Sequence, residues 1–305
     1  MRYQMANARQ LTARASALET SGMLQDDALH YSYWMGEWAT VLGLLAQEKR
    51  ISGYVTRVHG YDLYDERHTL GYQPYRAIQK QGLKKIYPIS ELGKGYIASR
   101  MTGVPLETHY LGTVDHGPGP LPTDETLRVV SVARLVPLKR IREMITILAL
   151  CQRPVHWTHI GGGPEEELLR TETNGLGKHI QVSIRGDMDH DAIMHEYSQK
   201  PYHLLISLSS SEGLPVSMME AMSFGIPVLS TDVGGVHEMV TESTGVLVDR
   251  ELDHAQIASI LDDWILTGLA RPAFREGVRQ AWKERFSADR NYPRFIEDIL
   301  SLEWS

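Results

Sequence analysis

One cysteine, Cys151, occurs among 305 residues. No internal disulfide can form and no cysteine-based zinc site can be built, which suits a chain held together by packing in a reducing compartment. Long hydrophobic runs are also missing. The longest apolar stretch, Trp34 to Ala46, is interrupted by Glu37 and falls short of the roughly 20 residues that cross a bilayer. Met1 to Asn7 lead into polar, helix-forming sequence rather than the apolar centre of a signal peptide. A cytoplasmic protein without an export signal is therefore expected. Positive charge is in deficit, with 31 Lys plus Arg against 38 Asp plus Glu and a net charge of −7. Nucleic acid is accordingly not expected as the main partner.

What is present fits a globular chain, with 42% hydrophobic and 23% charged residues. At roughly 150 residues per domain, the length suggests two. Residues 1–118 carry 13 Lys or Arg and 11 Asp or Glu (+2), while residues 119–305 carry 18 and 27 (−9). The stretch from His116 to Pro122 is too rich in Gly and Pro to continue a helix or central strand, and it marks the expected boundary.

Beyond the boundary, apolar runs alternate with helical patterns: Leu127 to Ala133, Val155 to Ile160, Ile180 to Ile184, Tyr202 to Leu208, Ile226 to Ser230 and Gly245 to Val248. Strands with little polar alternation, separated by helix-length segments, predict a parallel sheet covered on both faces. The first half predicts a helix over 3–20. Strands follow at Leu29 to Tyr33, Gly53 to Val58, Lys85 to Ile89 and Glu107 to Leu111.

The stretch running from Ser209-Ser210-Ser211-Glu212-Gly213-Leu214-Pro215 to Glu220 follows a buried strand. It continues through Phe224-Gly225-Ile226-Pro227-Val228 to Gly234-Gly235. Pro215 suits a first helical position, which puts Glu212 in a strand-to-helix loop and Glu220 about one and a half turns into the helix. Such a loop offers free N–H groups and a helix dipole to a phosphate. Two carboxylates beside it can accept hydrogen bonds from sugar or ribose hydroxyls. Arg134 and Lys139 fall at the turn after the strand that ends at Ala133, where as isolated residues they would read as solvated charges at a helix start. Gly161, Gly162 and Gly163 follow the next strand and permit close backbone approach to a ligand, although a plain turn explains them equally.

With these pieces in order, the chain resembles the retaining glycosyltransferases of family 4. The resemblance rests on the Glu-x7-Glu motif from Glu212 to Glu220 and its flanks, and is strongest from Val129 to Asp249. It implies an α/β, GT-B-like fold of two Rossmann-type doubly wound parallel-sheet domains facing a cleft, the first shortened. The acceptor side would be residues 1–118 joined by a C-terminal helix over 289–305. The donor-binding domain would be residues 119–288.

The resemblance further implies a transfer from a UDP- or GDP-sugar to a glycan or lipid-linked acceptor, in surface polysaccharide or glycolipid assembly, with no metal or other cofactor. His59, Glu212, Arg134 and Lys139 would be catalytic. Gly161, Gly162, Gly163, Gly213, Leu214 and Glu220 would bind the donor. In this scheme Glu212 holds the sugar, Glu220 the ribose, and His59, at a strand end, faces the donor across the cleft. Asp62 is either part of that site or an acceptor for the turn backbone. Ser90 fits the family pattern, and helix capping explains it as well. Family members usually begin with a strand and a Gly-rich loop, and nothing before Leu29 resembles them.

Other readings stay open. Asp187-Met188-Asp189-His190-Asp191 has the look of a metal-holding Asp-x-Asp, but helix capping by Asp189 or Asp191 is the preferred reading. Arg76, Lys80 and Lys84 recur every four residues and would share a helix face. That face is either simply solvated or a contact for anionic lipid at the inner face of a membrane. Two rival functions are a nucleotide-sugar-binding protein or fragment without full activity, and a Rossmann-type oxidoreductase. The latter is disfavoured because no Gly-x-Gly-x-x-Gly follows a first strand.

Overall fold

The computed structural model describes residues 10–11, 13–18, 20–22, 24 and 28–304. By internal contacts the chain divides into unit 1, Met1–Tyr110 with Pro293–Ser305, and unit 2, Leu111–Tyr292. Each is an α/β layer structure around its own parallel sheet.

Unit 2 holds strands β4 (Leu127–Val132), β5 (Val155–Ile160), β6 (Ile180–Ile184), β7 (Leu204–Ser207), β8 (Val228–Thr231) and β9 (Gly245–Val248), all parallel, in the order β6-β5-β4-β7-β8-β9. The connecting helices are α4 (Glu143–Leu150), α5 (Glu166–Thr173), α6 (His190–Gln199), α7 (Val216–Ser223) and α8 (His254–Asp263), followed by α9 (Pro272–Arg285). Coverage on both faces explains the unbroken apolar strands: Leu127, Val129, Val155, Trp157 and Leu204 are wholly buried. The strand order reverses between β4 and β7. In a doubly wound sheet, the crevice beyond the strand ends at that point is where ligands bind.

Unit 1 contains a smaller parallel sheet, β1 (Tyr31–Ser32), β2 (Tyr54–Val58) and β3 (Leu83–Pro88), in sequence order. Among its helices are α1 (Glu37–Gln47), α2 (Arg76–Gln79), α3 (Glu91–Ala98) and, from Pro293 on, the last helix of the chain, α10 (Ala288–Leu300). Phe295 and Ile299 of α10 pack on Val55 and Tyr87 of the sheet, with the Arg57 guanidinium 4.0 Å from the Phe295 ring centre. Asp298 accepts from Lys85 Nζ at 2.8 Å and from the Tyr87 hydroxyl. Pro293 lies inside this helix and supplies no N–H to it, at the point where the two units divide.

Several expectations need correction. Glu107 to Leu111 is not a strand. It runs beside β3, where Ile86 and Leu106 form an isolated bridge and Glu107 and His109 donate to Ile86 and Pro88, without a continuous ladder. Arg76, Lys80 and Lys84 do not share a helix face, because α2 ends at Gln79. The chain then enters the sheet, with the Gly82 carbonyl accepting from Tyr54, so that Lys84 stands on β3. Pro215 is the cap before α7 rather than its first residue. Of the helix expected over 3–20, residues 10–11, 13–18 and 20 are helical, and residues 3–9, 12 and 19 lie outside the described residues.

Candidate functional site

The loop after β4 is the centre of the candidate site in unit 2. On one side, Leu135 N donates to the Gly162 carbonyl at 2.8 Å. On the other, Ser210 N donates to the Leu138 carbonyl at 2.9 Å. This loop therefore ties the ends of β5 and β7 together at the point where the strand order reverses. Lys139 ends a short 3-10 turn there, and its Nζ lies 2.6 Å from Glu212 Oε1, in the loop after β7. Glu212 is buried, so the lysine compensates a carboxylate that has lost most of its water.

Arg134 is exposed and lines a pocket of about 470 Å³ together with Gly161, Gly162, Gly163, Asp187 and Met188. The glycines are needed for their backbone. Gly161 has φ +131°, and a Cβ there would lie 2.1 Å from the Ala133 carbonyl oxygen. Asp187 Oδ1 accepts from Gly162 N at 2.7 Å, fixing the run from a third loop. Asp189 caps α6 by accepting from Ala192 N at 2.7 Å, which agrees with the capping reading. Among the described residues, a trio with metal-ligand spacing occurs elsewhere, at Glu107, His109 and Asp298. The Lys85 ammonium already sits against two of its members.

Gly213 and Leu214 carry the chain from Glu212 into α7. Gly235 N donates to the Gly213 carbonyl at 2.9 Å, and Leu214 is buried. Glu220 is also buried and meets His190 Nε2 at 3.2 Å. Burial raises its pKa above the ordinary carboxylate value, an effect that His190 partly opposes. The far end of α7 is held by Arg279, whose Nη1 donates to the Ser223 carbonyl at 2.7 Å while Nη2 grips Asp115.

In unit 1, His59 follows β2 and is buried against the rings of Tyr33 and Trp34, whose centroids lie 4.7 and 4.0 Å away. Asp62 accepts from His59 N and Met35 N, both at 2.8 Å, so its carboxylate closes the turn. Ser90 caps α3 by accepting from Gly93 N.

The structure thus joins Lys139 with Glu212, and Arg134 with the glycine run. Reading the sequence did not find His190, Arg279 or Asp115. Each meets a partner at least thirty residues away, and no local spacing encodes such a meeting.

Three comparisons bear on this arrangement. The family model "Glycosyl transferases group 1" matches residues 118–281, more than half of the chain. An O-antigen biosynthesis glycosyltransferase, WbnH of Escherichia coli, is 31% identical over 140 residues, covering 45% of this chain and 38% of that protein. A GDP-mannose-dependent alpha-(1-6)-phosphatidylinositol monomannoside mannosyltransferase of Mycobacterium tuberculosis is 29% identical over 167 residues, covering 51% and 43%. The matched part of this chain therefore spans less than half the length of either relative.

Among solved structures, Anabaena Alr3699/HepE in complex with UDP superimposes with a TM-score of 0.78 at 18% identity, covering 96% of this chain and 82% of that one. This likeness shows the fold, which is GT-B with two Rossmann-like domains. Among the described residues, no helix is long and apolar enough to cross a membrane.

Proposed function

Because the chain belongs to the glycosyl transferases group 1 family, we propose that it is a retaining, family 4 type transferase. It takes a sugar from a UDP- or GDP-sugar and passes it to a glycan or lipid-linked acceptor in surface polysaccharide or glycolipid assembly. The observation that carries this reading is the Lys139–Glu212 pair at the strand-order reversal, beside the Arg134 and glycine pocket.

In this reading Arg134 and Lys139 neutralise the diphosphate as it departs, a contact that strengthens while charge develops on the leaving oxygen. Lys139 is already held by Glu212, so it is oriented before the donor arrives. Glu212 holds the donor sugar and Glu220 the ribose. The backbone of Gly161 to Gly163, with Gly213 and Leu214, gives the donor close approach. His59 takes the orienting role that the family resemblance assigns to it.

During transfer the bond from the anomeric carbon to the donor phosphate oxygen breaks, and the acceptor oxygen bonds to that carbon on the same face. The departing phosphate oxygen takes the acceptor proton. Two protein cations supply the counter-charge, so the transfer is assigned no metal. The names of the relatives support a role in surface glycan or glycolipid assembly.

A thermal-shift panel with UDP, GDP, ADP, their sugar conjugates and NAD, with and without Mg²⁺, tests the donor class. A nucleotide at about 100 times its Kd stabilises by roughly 2.7 kcal/mol, and the shift should not depend on Mg²⁺. NAD binding without nucleotide-sugar binding would return the oxidoreductase reading. NMR of the transferred sugar's anomeric proton at early times distinguishes retention from inversion.

A further inference from the structure

A second cavity, of about 580 Å³, is formed by residues of unit 1 alone. One wall is the chain from Met35 to Thr40 at the start of α1, and the other is the segment from Tyr61 to Tyr75. These walls are braced by buried amides. Gln79 Nε2 donates to the Met35 and Gly36 carbonyls at 3.2 and 3.1 Å and to the Thr40 hydroxyl at 2.9 Å. Gln73 Nε2 donates to the Tyr61 and Tyr64 carbonyls at 2.7 and 2.9 Å. Arg76 closes the frame by donating to Gln79 Oε1 and to the Asp62 carbonyl. Tyr75 on this wall holds φ at +68°, a conformation costly for a residue with a Cβ and kept only where its surroundings enforce it. The cavity is therefore built before any ligand arrives, as binding pockets of this volume usually are.

Its lining decides what can enter. Tyr61 and Tyr72 are 57% and 49% exposed, and the His68 ring lies 6.0 Å from that of Tyr61. An aromatic face is electron-rich and attracts polarised C–H groups. A sugar ring presents such C–H groups on one face and hydroxyls at its edge. Hydroxyl partners are at hand in the Glu37 carboxylate, His68 Nε2 and the two phenols, His68 Nδ1 being engaged by Leu70 N. Among the described residues that line this cavity, none is Lys or Arg, and the Glu37 charge is matched by Arg14. A phosphate would meet two lining carboxylates, Glu37 and Asp62, and no lining cation, in contrast to the pocket that Arg134 lines.

We propose that this cavity binds a neutral saccharide, with Tyr61 and Tyr72 as its stacking platform. Only its use as a subsite for a glycan acceptor rests on the transferase reading; the binding itself does not.

Saturation-transfer difference NMR on the full chain tests this, with cellobiose, maltose, lactose and N,N′-diacetylchitobiose as probes at millimolar concentration. UDP binding is followed in parallel by thermal shift. Saturation should reach the ring C–H protons of at least one disaccharide. The signal should fall at least five-fold in the Tyr61→Ala, Tyr72→Ala double variant while the UDP shift is unchanged. Both side chains are about half exposed, so their loss leaves the core intact.

No transfer to any of the four while UDP binds would overturn the proposal and spare the donor reading. Transfer that persists in the double variant would overturn it too. Saturation of the alkyl chain of octyl glucoside without its sugar ring would assign the cavity to an apolar ligand instead. A disaccharide signal without any nucleotide shift would keep the saccharide site and remove the donor reading.

Discussion

Lys139 Nζ stands 2.6 Å from Glu212 Oε1, joining the loops after the first and fourth strands of the six-stranded sheet. Lys139 is one-quarter exposed and Glu212 one-tenth, so the lysine stays within reach of a ligand while the carboxylate is largely withdrawn from water. Lys139→Ala removes the cation assigned to the leaving group and strands a buried carboxylate. Donor turnover, measured as release of UDP or GDP, should fall by about 10²–10³-fold. Stability should fall by about 1–3 kcal/mol in urea titrations. Unchanged turnover in Lys139→Ala and in Glu212→Gln would remove both assignments.

Gly234 and Gly277 should respond oppositely to alanine. At Gly234, φ is +58° and a Cβ would lie 2.0 Å from the Glu212 carbonyl oxygen, so Gly234→Ala must displace the loop that carries Glu212. It should cost more than about 1 kcal/mol and lower nucleotide affinity. Gly277 lies exposed within α9, where a Cβ meets open space. Gly277→Ala should stabilise by about 0.5–1 kcal/mol without altering affinity. Thermal melts with and without UDP check both.

Arg279 anchors the C-terminal end of the helix that presents Glu220. Its side chain is almost wholly buried and bonds both Asp115 oxygens and the Ser223 carbonyl. Asp115 is held below its ordinary pKa, with burial opposing and the Arg279 hydrogen bond lowering it. Removal of one partner of a buried pair costs about 3–5 kcal/mol. Because Asp115 is one-third exposed, Arg279→Met should cost about 3 kcal/mol or less. Asp115→Asn, which keeps an acceptor, should cost less than Arg279→Met in the same denaturant assay.

Two buried histidines set an acid limit. His159 and His203 are each pushed down to about 4 by burial, His203 also by Arg275. The Trp157 indole donates to Ser131 Oγ, which lies 2.8 Å from His159 Nδ1. His203 Nδ1 accepts from Arg128 N. The unfolded chain binds protons at these residues from about pH 6.5 downwards, while the folded chain does not until about pH 4. Their contribution is therefore complete above about 6.5 and is lost as pH falls towards 4, at about 1.4 kcal/mol per pH unit for each ring. Urea titrations at pH 7.5 and 5 should show this loss. His203→Asn, which retains an acceptor but does not titrate, should reduce it.

The parallel sheet of unit 2 was legible because strands covered on both faces are continuous apolar runs. Val155 to Ile160, Ile180 to Ile184 and Gly245 to Val248 appear in the structure with the bounds read from the sequence. The same logic failed where burial is partial. Glu107 to Leu111 alternates no more clearly than a loop; it donates to β3 only from Glu107 and His109, and the single bridge beside it is made by Leu106. The spacing of Arg76, Lys80 and Lys84 imitates a helix face, yet the helix stops at Gln79, Lys80 and Gln81 close a turn, and the chain pairs with β2 from Gly82 onwards.

Sequence alone determined the layered α/β class and the loop positions of Arg134, Lys139 and Glu212, because these depend on local pattern, while the glycines after β5 read equally as a plain turn and only their backbone angles show the need for glycine. Only the tertiary structure decided that Lys139 meets Glu212, that His190 meets Glu220 and Asp187 the Gly162 amide, and that Tyr61 and Tyr72 line a cavity. Such contacts depend on the distances between loops carried by separate strands, and those distances are fixed by sheet order and packing rather than by spacing along the chain.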